Sequence, residues 1–173
     1  MATIRLWAVL GEGGVGKSTT VGHLAGDFGR GPNGLRRGRG GGLRQILLRG
    51  GGYLTIHPRR QSLQEAGKIP PQAVTEIGRE SAKTQKSVRI KSEYFNVLLA
   101  LRTDSYRGMP RAFEYLSHFV NNGWQIESLV LLRQTDADEN IYRRFGVPIC
   151  YIQSNELTIL QMIGHARNHF GWA

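Results

Sequence analysis

Gly11-Glu12-Gly13-Gly14-Val15-Gly16-Lys17-Ser18 is the stretch of this sequence that decides its fold. It contains a glycine, four unrestricted positions and then Gly-Lys-Ser. The apolar run Thr3–Leu10 precedes it and is typical of a buried strand. From Gly16 to about Phe28, apolar residues recur at spacings of three and four, which predicts a helix. The opening unit is therefore predicted to be strand, glycine loop and helix.

Each residue type in this loop suits a phosphate chain. Glycines allow backbone N–H groups to curl around a phosphate, and the start of a helix adds a favourable dipole for an anion. Lys17 is predicted to neutralise the β- and γ-phosphates of ATP, and Ser18 to ligate Mg²⁺. The predicted nucleotide-binding residues are Gly11, Gly13, Gly14, Val15, Gly16, Lys17, Ser18 and Thr19. The alternative is a glycine turn with an exposed lysine.

The rest of the chain alternates strands with helices. Strands are predicted at Gln45–Leu48, Tyr53–His57, Phe95–Leu101, Ile126–Leu132 and Val147–Ile152. Helices are predicted at Pro110–Asn121, Ala137–Phe145 and about Glu156–Phe170, and Gln72–Ser92 is predicted as a surface helix followed by an edge strand. Pro70-Pro71 is predicted to be a turn or linker. This alternation predicts an α/β fold, a mostly parallel sheet with helices on both faces.

Length and composition limit the class of protein. A chain of 173 residues is expected to form one domain, here a nucleotide-binding domain over residues 1–173. One cysteine, Cys150, excludes an intramolecular disulfide and predicts a buried, inert thiol. No apolar stretch reaches the roughly 20 residues of a membrane span, and Met1–Leu10 lacks the features of an export signal. A cytoplasmic protein is expected.

A basic, glycine-rich segment accounts for much of the net charge of +10. No Asp or Glu occurs between Phe28 and Gln64, whereas eight arginines do. Residues 29–52 are predicted to form a flexible Arg/Gly-rich loop, because the segment has few apolar side chains. The loop either follows a polyanion such as DNA or closes over nucleotide phosphates, or it is only a solvated segment of biased composition.

The run Gly13-Gly14-Val15-Gly16-Lys17-Ser18-Thr19-Thr20 resembles the phosphate loop of the ParA/MinD-like partition and division-site ATPases. Three later stretches are similar to later elements of that group. They are Leu98–Arg102 with Thr103-Asp104-Ser105-Tyr106, Ile126–Arg133, and Phe145-Gly146-Val147-Pro148-Ile149. The likeness covers residues 1–28 and about 94–173. It implies the P-loop NTPase fold, ATP and Mg²⁺ as ligands, and a homodimer that forms on ATP with a DNA or membrane partner.

Two positions depart from the family pattern. Glu12 stands where the family usually has a second lysine that reaches the partner's nucleotide, and a carboxylate there repels phosphate. The region Leu54-Thr55-Ile56-His57-Pro58-Arg59-Arg60 contains no carboxylate, although the family places an aspartate after its second strand. Asp104 is the remaining candidate for a water-bridged Mg²⁺ contact, and the alternative is a turn or cap residue.

Other candidate groups have plainer interpretations. Asp136, Asp138 and Glu139 are expected to face water or cap a helix. His57 is expected to be structural, and His165 and His169 lack a third metal ligand. Trp172 either anchors the chain to a partner or a lipid surface or, as is commoner for such an aromatic, folds back onto the core.

The resulting functional prediction is an ATP-binding protein, with hydrolysis carried by Lys17 and Asp104, that positions DNA or cargo. Two rivals are retained. One is a small-molecule kinase similar to shikimate and gluconate kinases, with Arg49-Gly50-Gly51-Gly52 beside an acceptor site. The other is a basic nucleic-acid-binding adaptor with a vestigial phosphate loop.

Overall fold

The chain folds around a six-stranded sheet in the computed structural model. The structure describes residues 2–26, 42–87, 92–133, 136–153 and 157–173, with only the backbone of 136–139. The strands are β1 (Thr3–Gly11), β2 (Arg44–Leu47), β3 (Tyr53–Arg59), β4 (Tyr94–Arg102), β5 (Gln125–Leu132) and β6 (Ile149–Ile152). The helices are α1 (Lys17–Leu24), α2 (Pro70–Ser87), α3 (Ala112–Asn121), α4 (Asp136–Arg143) and α5 (Ile159–Phe170).

The sheet is mostly parallel, as the sequence predicts. Its strand order is β2-β3-β4-β1-β5-β6, and among these described strands only the edge pair β2–β3 is antiparallel. β1 therefore lies inside the sheet with a parallel neighbour on each side. Such a strand must be apolar on both faces, which explains the continuous apolar run of β1.

Helices cover both faces of the sheet. Side chains alternate along β1, so that Leu6 and Leu10 enter one core while Trp7 and Val9 enter the other. The first core is completed by buried residues of α2, α3 and α4, and the second by those of α1 and α5. The predicted fold class, α/β with helices on both faces, is confirmed at this level. No described helix combines the length and hydropathy that a bilayer span requires.

Two boundaries differ from the sequence prediction. Pro70 and Pro71 begin α2 rather than forming a turn or linker. Proline is well tolerated in the first turn of a helix, where its missing N–H would have had no intrahelical partner. Arg44–Leu47 is a strand, close to the predicted strand Gln45–Leu48, so the predicted loop over residues 29–52 does not extend through this part of the segment. Residues 29–41 of the predicted loop, and residues 88–91 of the stretch Gln72–Ser92 in which an edge strand is predicted, lie outside the described residues.

The C-terminal residues fold back onto the sheet edge. Trp172 is 1% exposed, and its ring centroid lies 6.0 Å from that of Trp7 and 4.8 Å from that of Phe170. The backbone N–H of Ala173 donates to the carbonyl of Leu47 over 2.9 Å. Of the two interpretations of Trp172, the structure supports the one in which it packs in the core.

We therefore expect Trp172→Ala to lower the free energy of unfolding by about 3–5 kcal/mol, the usual cost of truncating a buried aromatic. Tyr53→Ala is the matched control, because Tyr53 is 69% exposed, and its cost should stay below about 1 kcal/mol. Urea denaturation of both variants measures the difference. If both variants lose the same unfolding free energy, Trp172 does not stabilise the packing at this edge of the sheet.

Candidate functional site

The glycine loop lies at the carboxyl end of β1, between two other strand ends. Gly11 is in register with Arg102 at the end of β4 and with Leu132 at the end of β5. The backbone N–H of Thr103 donates to the carbonyl of Gly11 over 3.1 Å, which ties the two strand ends together. In open parallel sheets, ligands bind in the crevice outside these carboxyl ends.

Two glycines give the loop its shape. Gly14 has φ 79° and Gly16 has φ 93°, both in the left-handed region that side chains disfavour. Gly16 is the N-terminal cap of α1, and its carbonyl accepts the N–H of Thr20 over 2.8 Å. The turn therefore delivers the chain directly into a helix whose positive end lies next to the loop.

Lys17, the first residue of α1, is buried at 4% exposure. Its ammonium donates a hydrogen bond to the carbonyl of Glu12, across the loop. Desolvation lowers the pKa of Lys17 to about 8, while the nearest carboxylates, Glu65 first among them, oppose that shift. Because Lys17 is buried, the alternative of an exposed lysine on a glycine turn is wrong.

Arg102 brings a second cation to the loop. Its guanidinium lies against Gly13, where a methyl group added to that glycine would come within 2.8 Å of Cζ. Asp104 accepts from Nε at 3.1 Å and from Nη2 at 2.5 Å, and Glu65 accepts from Nη1 at 3.3 Å. The Tyr106 ring lies 4.3 Å from the guanidinium carbon. A side chain at position 13 would therefore displace the Arg102 guanidinium from the loop.

The structure places Asp104 close to the loop, where both of its carboxylate oxygens accept hydrogen bonds from Arg102. Hydrogen bonding from Arg102, helped by the backbone N–H of Gly13, lowers the pKa of the Asp104 carboxyl. Asp104 therefore stays ionised and belongs to the loop's electrostatic network. Ser18 and Thr19 are half-buried in the first turn of α1.

Sequence reasoning missed Gln64, Glu65 and Arg102. The buried Gln64 amide binds both backbone groups of Arg102, accepting from its N–H at 3.2 Å and donating to its carbonyl at 2.9 Å. Glu65 lies six residues after the end of β3, and its carboxylate accepts from Nη1 of Arg102. A pattern search confined to strand ends does not reach a carboxylate in the following turn.

Several predicted candidates lie apart from the loop. Gly50–Gly52 form the turn between β2 and β3, at the amino end of β3. Because β3 runs parallel to β4 and β1, this turn and the glycine loop lie at opposite ends of the strands. The kinase interpretation placed this triplet beside an acceptor site, and that placement is wrong. His57 is buried in β3, with its ring centroid 4.1 Å from that of Phe95, as a structural histidine would be.

Two further candidates also have structural surroundings. Nε2 of His169 lies 2.7 Å from Oγ of Ser128, a contact that joins α5 to β5. Cys150 is half-buried rather than buried, and desolvation raises the pKa of its thiol. A raised pKa keeps the sulfur protonated and unreactive.

Acidic and histidine side chains form no metal cluster of their own in the parts of the chain that the structure describes. Within them, no three His, Cys, Asp or Glu side chains converge closely enough to hold an ion. The side chains of Asp136, Asp138 and Glu139 lie outside the described set. Mg²⁺ at a phosphate loop does not require such a cluster, because one or two side chains, substrate phosphates and water complete its coordination.

No protein-family model matches this chain, and a search of curated proteins found no significant match. Its function is therefore inferred from the chemistry and geometry of the loop.

The loop geometry gives a stability prediction at Gly11. A methyl group there would lie 2.6 Å from Cγ2 of Val15 and 3.0 Å from the backbone oxygen of Leu132. We expect Gly11→Ala to cost about 1–3 kcal/mol of unfolding free energy, since neighbouring atoms must shift. Gly78→Ala, within α2 and with nothing in 4 Å, should instead stabilise by about 0.5–1 kcal/mol. Thermal denaturation measures both variants. If both substitutions shift the melting temperature in the same direction, this packing is contradicted.

Proposed function

We propose that this chain is a P-loop ATPase that binds ATP with Mg²⁺ at residues 11–19 and hydrolyses its terminal phosphate bond. The observation that carries the proposal is a buried ammonium at the first residue of a helix, directly behind a loop with left-handed glycines. A lysine is rarely buried without a charged partner. Here its ammonium is within reach of the loop, where a phosphate chain would supply that partner.

In the proposed complex the loop amides and the start of α1 hold the phosphates. The backbone N–H groups from Gly13 to Lys17 surround the β-phosphate, and the helix dipole favours its negative charge. Lys17 exchanges the carbonyl of Glu12 for the β- and γ-phosphate oxygens. That exchange is favourable because a hydrogen bond between two charged groups is stronger than one to a neutral carbonyl.

The side chains near the loop fit a magnesium ion held through the nucleotide. The Ser18 hydroxyl is in the first turn of α1, and the Asp104 carboxylate stays ionised beside Gly13. Ser18 would ligate the ion directly, and Asp104 would contact it through water. When bound, the ion would neutralise charge on the β- and γ-phosphate oxygens.

Hydrolysis requires a water in line with the bond that breaks. Water attacks the γ-phosphorus, and the bond from that phosphorus to the β–γ bridging oxygen breaks, with its electron pair going to that oxygen. The attacking water gives a proton to a phosphate oxygen, and ADP and inorganic phosphate leave. Lys17 stabilises the negative charge that develops on the leaving oxygens. In this proposal, Asp104 orients the attacking water near the γ-phosphate.

The proposal extends to the positioning of DNA or cargo, on the resemblance of residues 13–20 to the ParA/MinD-like group. A net charge of +10 favours a polyanionic partner. ATP-dependent homodimerisation belongs to the same resemblance. Glu12 would place an acidic side chain where that group uses a lysine across the dimer.

Removing the Lys17 ammonium tests nucleotide binding. We expect Lys17→Ala to weaken Mg²⁺–ATP at least about tenfold, because a charge-assisted phosphate contact contributes about 1.5–3 kcal/mol. Lys83→Ala is the matched control, since Lys83 is exposed on α2, and should bind as the unmodified protein does. Titration with a fluorescent ATP analogue, with and without Mg²⁺, measures both variants. Unchanged affinity in Lys17→Ala would refute the phosphate-loop assignment.

The buried lysine also gives a pH prediction. With a pKa of about 8, Lys17 loses its proton as the pH rises from 7 to 9. Bound phosphate favours the ammonium, so above pH 8 the complex holds more protons than the free protein, and raising the pH favours dissociation. Nucleotide affinity should therefore fall up to about tenfold per pH unit above pH 8.5.

The phosphate groups themselves are almost completely ionised above pH 8, since their last pKa is about 6. Affinity is measured at pH 7, 8, 9 and 9.5, and calorimetry in two buffers counts the proton taken up at pH 8.5. Lys17→Arg is the control, because a guanidinium keeps its charge throughout. A flat profile in the unmodified protein would contradict phosphate contact with Lys17.

A further inference from the structure

We propose that Arg102 binds the terminal phosphate of the nucleotide and so makes the site selective for a triphosphate over a diphosphate. This inference rests on the proposed function and adds a residue that the loop motif does not contain. The guanidinium would leave Asp104 and Glu65, in whole or in part, for the phosphate oxygens. It is supplied by the same chain as the loop.

The position of Arg102 favours the terminal phosphate. Its guanidinium packs against Gly13, at the start of the loop, whereas Thr19, assigned to the α-phosphate, lies on α1 at the other end. A phosphate chain laid along the loop from Thr19 toward Gly13 brings its last phosphate nearest to Arg102. Lys17 would hold the same phosphate group from the helix side.

The Arg102 side chain is preorganised for this contact. The Gln64 amide fixes both backbone groups of Arg102, and Tyr106 packs against its guanidinium. The side chain is only 13% exposed, so little conformational freedom remains to be lost on binding. A guanidinium presents paired N–H donors, which match the oxygens of a phosphate as they match those of a carboxylate.

The two carboxylates serve as substitutes for the phosphate. Asp104 occupies two donors of Arg102 and Glu65 a third, so a cation beside Lys17 is neutralised within the protein. A terminal phosphate offers stronger negative charge at the same donors. The exchange also releases Asp104 toward the metal side of the site, which links recognition of the third phosphate to the proposed Mg²⁺ contact.

The test compares two ligands, ADP and the non-hydrolysable β,γ-imido analogue of ATP, each with Mg²⁺. We expect Arg102→Gln to weaken the analogue about ten- to hundredfold and ADP less than about threefold. Arg107→Gln is the matched control, because Arg107 also lies over Tyr106, at 5.2 Å, but is exposed. It should change neither affinity more than about threefold.

A purely structural ion pair would not change the ratio of the two affinities. Equal weakening of both ligands by Arg102→Gln, or no weakening, overturns the inference while leaving nucleotide binding intact. If the unmodified protein binds neither ligand, the proposed function itself fails. Arg102→Lys covers the case in which the glutamine variant does not fold. It keeps the charge without the paired donors, and it should lose several-fold affinity for the analogue alone.

Discussion

The hydrogen-bonded register of β1 with its two parallel neighbours is the constraint on which the proposed site depends. It aligns Gly11 with Arg102 on one side and with Leu132 on the other. A shift of one residue would turn each side chain to the opposite face and remove Arg102 from the loop. The apolar residues of β1 fill two separate cores, which makes such a shift costly. Packing far from the loop thus fixes the geometry at the loop.

The sequence predicted the elements that depend on local pattern. Apolar runs located β1, β4 and β5, and the glycine spacing located the loop and the start of α1. The cluster of Gln64, Glu65 and Arg102 was missed because its contacts depend on which strands are neighbours in the sheet. No local sequence pattern specifies the order of the strands. The prediction of a turn or linker at Pro70-Pro71 was wrong for a different reason. Proline breaks a helix when it lies in the interior but is well tolerated in the first turn, where α2 begins.

Charge is distributed unevenly between the whole chain and the loop. The chain carries ten more basic than acidic residues, yet Lys17 and Arg102 lie beside Glu65 and Asp104. Beyond the effect of desolvation, Arg102 lowers the pKa of Lys17, whereas Glu65 and Asp104 raise it, so the two carboxylates offset the repulsion between the two cations. The basic excess of the chain therefore comes from residues outside this cluster.

The return of the last residues to the sheet edge has a consequence for biosynthesis. Trp172 fills a space bordered by Trp7 and Phe170, so the core beneath α1 is incomplete until residue 172 has left the ribosome. β1 emerges long before Trp172, so that face of the sheet cannot close until the residues between them have been synthesised. During this interval its apolar side chains are exposed to chaperones, and the opposite face can pack earlier.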